Sequence, residues 1–194
     1  MAHDTHRLHE CTGVAEPGTR TVSASLHAHG YDSDRLSASV TRILAANTLC
    51  SMATRNEAGT VHINTAFFCF GPDLVLYFLS HPKSVHCHNL ARVPQMAVGV
   101  FDSHQHWGDP HTGLQLFGMG ALANADASSQ ARELYAARFL RYRGFLSRTP
   151  NGQPLSSTLR GLKFYRFLPQ RVQILDEWEF GEGVFIPATI VIAG

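Results

Sequence analysis

Two histidines of this chain occupy places where their neighbours could make a site: His62 in "TVHINTAFFCF" and His86 in "HPKSVHCHNL". A neutral imidazole ligates a metal ion or haem iron and carries protons near neutral pH, but it has no fixed charge with which to grip an anion. In an alternating strand His62 shares a face with Asn64, Ala66, Phe68 and Phe70, so an imidazole, an amide and two aromatic rings look the same way. Taken alone, His62 also has the character of a half-buried histidine bonded to backbone or water, and Asn64 that of a strand-edge amide. The triplet His86, Cys87, His88 has the look of a metal site. Successive helical residues point about 100° apart, so the three cannot converge on one ion. One of them faces a pocket, with His86 the candidate, and the others belong to surface or packing. Cys87 reads as packing, with a thiolate ligand as the alternative.

Other groups fit a bland role at least as well. His104, His106 and His111 in "HQHWGDPH" lack the further ligands a zinc site needs. That loop is either solvated or a functional loop at a pocket mouth, with Trp107 as a lid or stacking group. Arg138, Arg141, Arg143 and Arg148 sit toward a helix end, where cations favour the macrodipole, and one of them is a candidate to reach a substrate carboxylate across a dimer interface. The chain has no P-loop, no dinucleotide glycine fingerprint and no nucleophile-elbow motif.

Stepping from these residues to the elements that carry them, "DSDRLSASVTRILAAN" reads as an amphipathic helix capped by Asp32 or Ser33, with Leu36, Val40, Ile43 and Leu44 on one face. "TLCSMAT" and "TVHINTAFFCF" are strands around the turn "RNEAG", and "GPD" turns the chain into a third strand, "LVLYFLS". "KSVHCHNLARV" is a brief helix, "QMAVGVF" and "GLQLFGMGALA" are strands, and "DASSQARELYAARFLRY" is a longer helix. "GLKFYRFLPQRVQILDE" reads as two strands broken at Pro169. Six or seven short antiparallel strands with few helices predict a small, mainly β barrel with flanking helices. Residues 1–31 read as a polar arm holding His3, His6, His9, His27 and His29, and residues 32–194 as one domain.

Composition narrows the classes. The 194 residues are 44% hydrophobic and 16% charged with a formal charge of +1, which describes a globular chain with no electrostatic case for nucleic acid or an anionic membrane. No apolar run reaches the ~18 residues of a spanning helix, and the opening lacks a secretory pattern. A cytoplasmic protein with its four cysteines, Cys11, Cys50, Cys69 and Cys87, reduced is the expectation.

The order of elements from Leu36 to Glu179 resembles the pyridoxamine 5'-phosphate oxidase-like split barrels. The likeness rests on the strand at Gly59, the S-x-x-x-x-N-L helix start at Ser84, "MAVGVF", "LQLFGMGAL" and "FYRFLPQRVQIL". It implies a six- or seven-stranded antiparallel split barrel, a homodimer, and a cofactor site between subunits. Flavin-binding members hold the FMN phosphate with two cations, and their positions fall on His62 and His86 here. Ser84 and Asn89 keep the small polar residues, and Gln115 matches a glutamine that touches cofactor. Replacing cations by neutral imidazoles disfavours a phosphate dianion and favours iron.

"HINTAFF" and "FLSHPKSVHCHNL" are similar to the haem-binding branch of that family that includes the piperazate synthases. That likeness implies haem b on His62, with His86 as runner-up, and Asn64, Phe68, Ser84 and Gln115 about the cofactor. It further implies a small amino-acid substrate, N5-hydroxyornithine, cyclised to piperazic acid by forming a nitrogen–nitrogen bond. Lys83, Ser84 and Tyr77 are the candidate catalytic groups. The alternatives are an FMN or deazaflavin oxidoreductase, with Lys83 and Arg92 supplying the phosphate site, and a haem carrier, sensor or haem-degrading protein.

Overall fold

A computed structural model describes residues 24–147 and 159–192. The elements run β1 (Ala24–His27), α1 (Ser33–Ala46), β2 (Leu49–Arg55), β3 (Val61–Phe70), β4 (Leu76–Ser80), α2 (Val85–Arg92), β5 (Gln95–Phe101) and β6 (Thr112–Leu122). Then follow α3 (Ala125–Arg138), α4 (Leu140–Ser147), β7 (Lys163–Asp176), α5 (Glu177–Phe180) and β8 (Phe185–Ile192). The strands are ordered β1-β8-β7-β4-β3-β2-β5-β6, and a further β7–β6 pairing closes six of them into an antiparallel barrel. The expected split barrel is therefore present, with β1 and β8 added outside it.

Local chemistry accounts for the main elements. Asp32 caps α1 by accepting from the N–H groups of Asp34 and Arg35 at 3.1 and 2.9 Å. Leu36, Val40, Ile43 and Leu44 are the buried face of that helix, as their spacing requires. Its C-terminal carbonyls are met from α3, where Arg138 donates to the carbonyl oxygens of Leu44, Ala45 and Asn47 and lays its guanidinium over the Phe68 ring at 4.8 Å. A second, smaller core of Cys69, Val75, Tyr77 and Phe164 lies on the other face of the barrel wall, under α3.

The split explains the position of α2. Residues 61–67 of β3 pair with β2, and Phe68–Phe70 pair with β4. Helix α2 lies across the resulting opening, tied by the Asn89 amide donating to Thr54 Oγ1 at 3.1 Å. It sits close on β6 because Gly120 has no side chain: a Cβ there would lie 2.3 Å from Met96 Sδ and 2.9 Å from Leu90 Cδ2.

Four expectations are corrected. The C-terminal segment is one strand rather than two. Pro169 lies opposite Gly118 at a bulge, between the residues of β7 that pair with β4 (163–167) and those that pair with β8 (171–175), so the missing N–H interrupts neither ladder. The long helix is two, separated at Phe139, whose φ of −116° and ψ of 95° are extended. The polar arm does not reach Tyr31, because β1 pairs with β8 and Leu26 is fully buried. Strand β8 and helix α5 were not read at all. His3, His6, His9, Cys11 and Arg148 lie outside the described residues. Among those described, no helix is long and apolar enough to cross a membrane.

Candidate functional site

Alternation along β3 turns His62 and Asn64 toward α2, and the helix presents His86 to them. The two imidazole planes are inclined by only 9°, with 6.2 Å between centroids. His62 stands opposite Thr54 in the β2–β3 ladder, the same threonine that holds α2 through Asn89. Thr54 thus touches both the histidine strand and the histidine helix.

The two histidines differ in what holds them. His86 Nε2 lies 2.6 Å from Ser80 Oγ and 3.1 Å from Ser84 Oγ, and the hydroxyls are 3.3 Å apart. Ser84 is the N-cap of α2 yet makes no side-chain cap bond, because its hydroxyl is turned to the imidazole. His62 is half-buried, and among the described residues neither of its ring nitrogens is hydrogen-bonded. An imidazole whose nitrogens are free is available to an incoming ligand, whereas one gripped by two hydroxyls exchanges protons with them.

Around the pair, Phe78 packs 6.3 Å from the His86 ring and 5.7 Å from the Tyr165 ring. Cys87 is buried and His88 exposed, so the His-Cys-His triplet diverges as helical geometry demands. Burial raises the Cys87 thiol, but hydrogen bonds with His86, Ser84, Tyr165 and Ser80 outweigh it and bring the thiol down to about 7. Burial, with the Cys87 contact adding to it, pushes the Tyr165 phenol up. Asn64 Oδ1 is buried with no hydrogen-bond partner among the described residues.

Not every candidate residue comes to this place. Phe68 is fully buried in the main core, six residues along the strand from His62, and borders the site only as the cross-strand partner of Phe78. Tyr77 is one residue out of phase with Phe78. It therefore faces the second core, where its hydroxyl meets Gln130 Oε1 at 3.1 Å and burial pushes it up to about 12. Gln115 is on the outer barrel face beside Gly99 and Gln173. Lys83 is exposed, and Arg92 is 3.5 Å from Glu57. In the loop, Trp107 is 97% exposed while Gln105 ties the base of the loop through both main-chain groups of Thr112. A cavity of about 810 Å³ lies between α3, α4 and β7 and includes neither histidine.

Sequence reasoning missed Ser80 and Thr54. Ser80 is signalled by alternation, since it follows Phe78 by two in "LYFLS". Thr54 emerges only from the β2–β3 register.

A closed six-stranded antiparallel barrel with a split bridged by a short helix defines this chain as a split-barrel protein. No family model matches it, and no curated protein is similar to it. Solved structures share the fold at low identity. A heme binding protein from Mycobacterium smegmatis superposes with a TM-score of 0.60 at 17% identity, over 79% of this chain and 57% of that one. HutZ, the heme storage protein from Vibrio cholerae, gives 0.52 at 16%, over 67% and 87%. A putative pyridoxamine 5'-phosphate oxidase from Listeria innocua gives 0.53 at 14%, over 72% and 98%.

Proposed function

We propose that this chain binds haem b through His62 and is a haem-dependent cyclase similar to the piperazate synthases, converting N5-hydroxyornithine to piperazic acid. The observation that carries the reading is the half-buried His62 imidazole with no hydrogen bond of its own, parallel to a second imidazole whose Nε2 is held by two serine hydroxyls. The residues fit iron better than a flavin phosphate. Both positions that carry cations in flavin-binding relatives are imidazoles, and Arg92 is paired with Glu57, while Lys83 and, opposite Ser80 in the β4–β7 ladder, Lys163 are exposed cations.

In the reaction the α-amine forms a bond to N5, the N5–oxygen bond breaks, and the hydroxyl leaves as water with a proton, so no external oxidant or reductant is needed. His62 would hold the haem iron, which when bound would supply Lewis acidity at the hydroxylamine. The Ser80–His86–Ser84 cluster stores and delivers the proton that the departing hydroxyl takes up. The walls of the site keep the flexible substrate folded so that its two nitrogens meet.

The site is completed by a second copy of this chain. On the outer barrel face, Val61, Ile63 and Phe67 of β3 form an exposed ridge, and Ala53, Ala97 and Gly99 beside it form a trough with a groove of about 210 Å³. Ridge and trough on one surface are self-complementary, as a two-fold interface requires. Gln115 lines that groove.

A haem carrier uses the same ligand without turnover, and two structures of similar fold bear haem-binding names. The absorption spectrum of purified protein decides the cofactor: a Soret band without flavin absorbance supports the reading, and stoichiometric FMN released on denaturation sinks it. Formation of piperazic acid from N5-hydroxyornithine then separates enzyme from carrier.

A further inference from the structure

Three buried side-chain atoms among the described residues lack a hydrogen-bond partner: Asn64 Oδ1, Arg166 Nε and Asp176 Oδ1. Asp176 is otherwise held, its second oxygen accepting from Ser39 and Arg42. Arg166 pairs with Tyr77 in the β4–β7 ladder, on the wall away from the histidines. Only Asn64 shares a strand face with His62, two residues away.

Among the described residues nothing hydrogen-bonds the amide oxygen, although His62 lies two residues away on the same face. Met52 is the partner of Asn64 across the β2–β3 ladder, and Ala66 follows it on the same face. A buried amide oxygen without a partner is destabilising, so an apolar residue of the same shape would serve the fold better. A polar group kept at such a place finds its partner in a ligand. Because the amide makes no bond within the chain, it can turn about its last side-chain torsion and present its oxygen without breaking one.

We infer that Asn64 is a ligand-orienting residue that accepts a hydrogen bond from an N–H group of the molecule bound beside His62, selecting amines and hydroxylamines over nitrogen ligands that carry no proton. The inference rests on the proposed haem site and adds to it the chemistry that chooses the ligand.

The test compares wild-type and Asn64→Leu holoprotein, both ferric, titrated with n-propylamine and with pyridine. Both probes coordinate iron through a neutral nitrogen, propylamine as its free base, whose concentration is the one compared, and only the first carries N–H. Asn64→Leu is expected to weaken propylamine binding about tenfold and leave pyridine within about twofold, a difference the size of one hydrogen bond. Equal weakening of both probes, or of neither, overturns the inference while leaving the haem reading intact. A wild-type protein without haem overturns the proposed function itself. Thermal melting of the cofactor-free proteins provides a measure that needs no haem. If Asn64 is unpartnered as described, Asn64→Leu melts no lower than wild type. A clear fall in Tm shows that the amide has a structural role, and overturns the inference.

Discussion

The imidazoles of His62 and His86 lie within 9° of parallel, yet only His86 is hydrogen-bonded, its Nε2 held by Ser80 and Ser84. The asymmetry assigns them different work. A ligand needs a free nitrogen, and a proton carrier needs partners.

The first prediction follows directly. His62→Ala should lose haem, or bind it with an open coordination site, and activity should fall at least about tenfold. His86→Ala should keep the cofactor and lose turnover through slowed proton delivery. Haem content and Soret position in the two variants decide it, and the reverse pattern makes His86 the ligand.

The second concerns assembly. Ile63 is 68% exposed at the centre of the β3 ridge and points away from the histidines. Ile63→Asp should leave the fold intact, produce a monomer in sedimentation, and weaken haem retention. A variant that stays dimeric shows that the ridge is not the interface.

The third concerns the bulge. A Cβ at Gly118 would lie 2.0 Å from the Leu168 carbonyl oxygen and 2.9 Å from Pro169 Cα, both main-chain atoms that no rotamer change can move. Gly118→Ala should therefore cost about 3 kcal/mol, at the upper end for steric insertion, measured by urea unfolding. A cost below about 1 kcal/mol would mean that the β6–β7 ladder yields easily at this point.

The fourth concerns alkaline pH. Burial pushes the Cys50 and Cys69 thiols from 9.0 to about 12, and that of the Tyr77 phenol from 10.0 to about 12. Above pH 9 the unfolded chain releases protons that the folded chain retains, so stability should fall as pH rises from about 9 to 12. Urea midpoints across that range should decline steadily. Cys50→Ala combined with Cys69→Ala should flatten the lower part of the decline.

Much of the frame was legible because it is local. Alternation located β3, and Asp32 and the Leu36–Leu44 face located α1. Pro169 misled because its cost depends on neighbours that no local pattern names: β4 and β8 meet the same edge of β7 on either side of it. Tyr77 misled for a related reason. It is near Ser84 in the chain, but one step along a strand turns a side chain to the opposite face. The pairing of His62 with Thr54, and the diversion of Ser84 from capping to His86, are tertiary facts with no sequence signature.

Strand β7 pairs with β4, β6 and β8, and it comes late in the chain. While the chain is being synthesised, the sheet β4-β3-β2-β5-β6 can form with both edges bare until β7 emerges from the ribosome. Two open edges and an uncovered apolar ridge at once make that nascent intermediate a target for self-association and for chaperones. For this protein, yield on expression should therefore depend on temperature and chaperone supply more than the stability of the finished barrel alone would suggest.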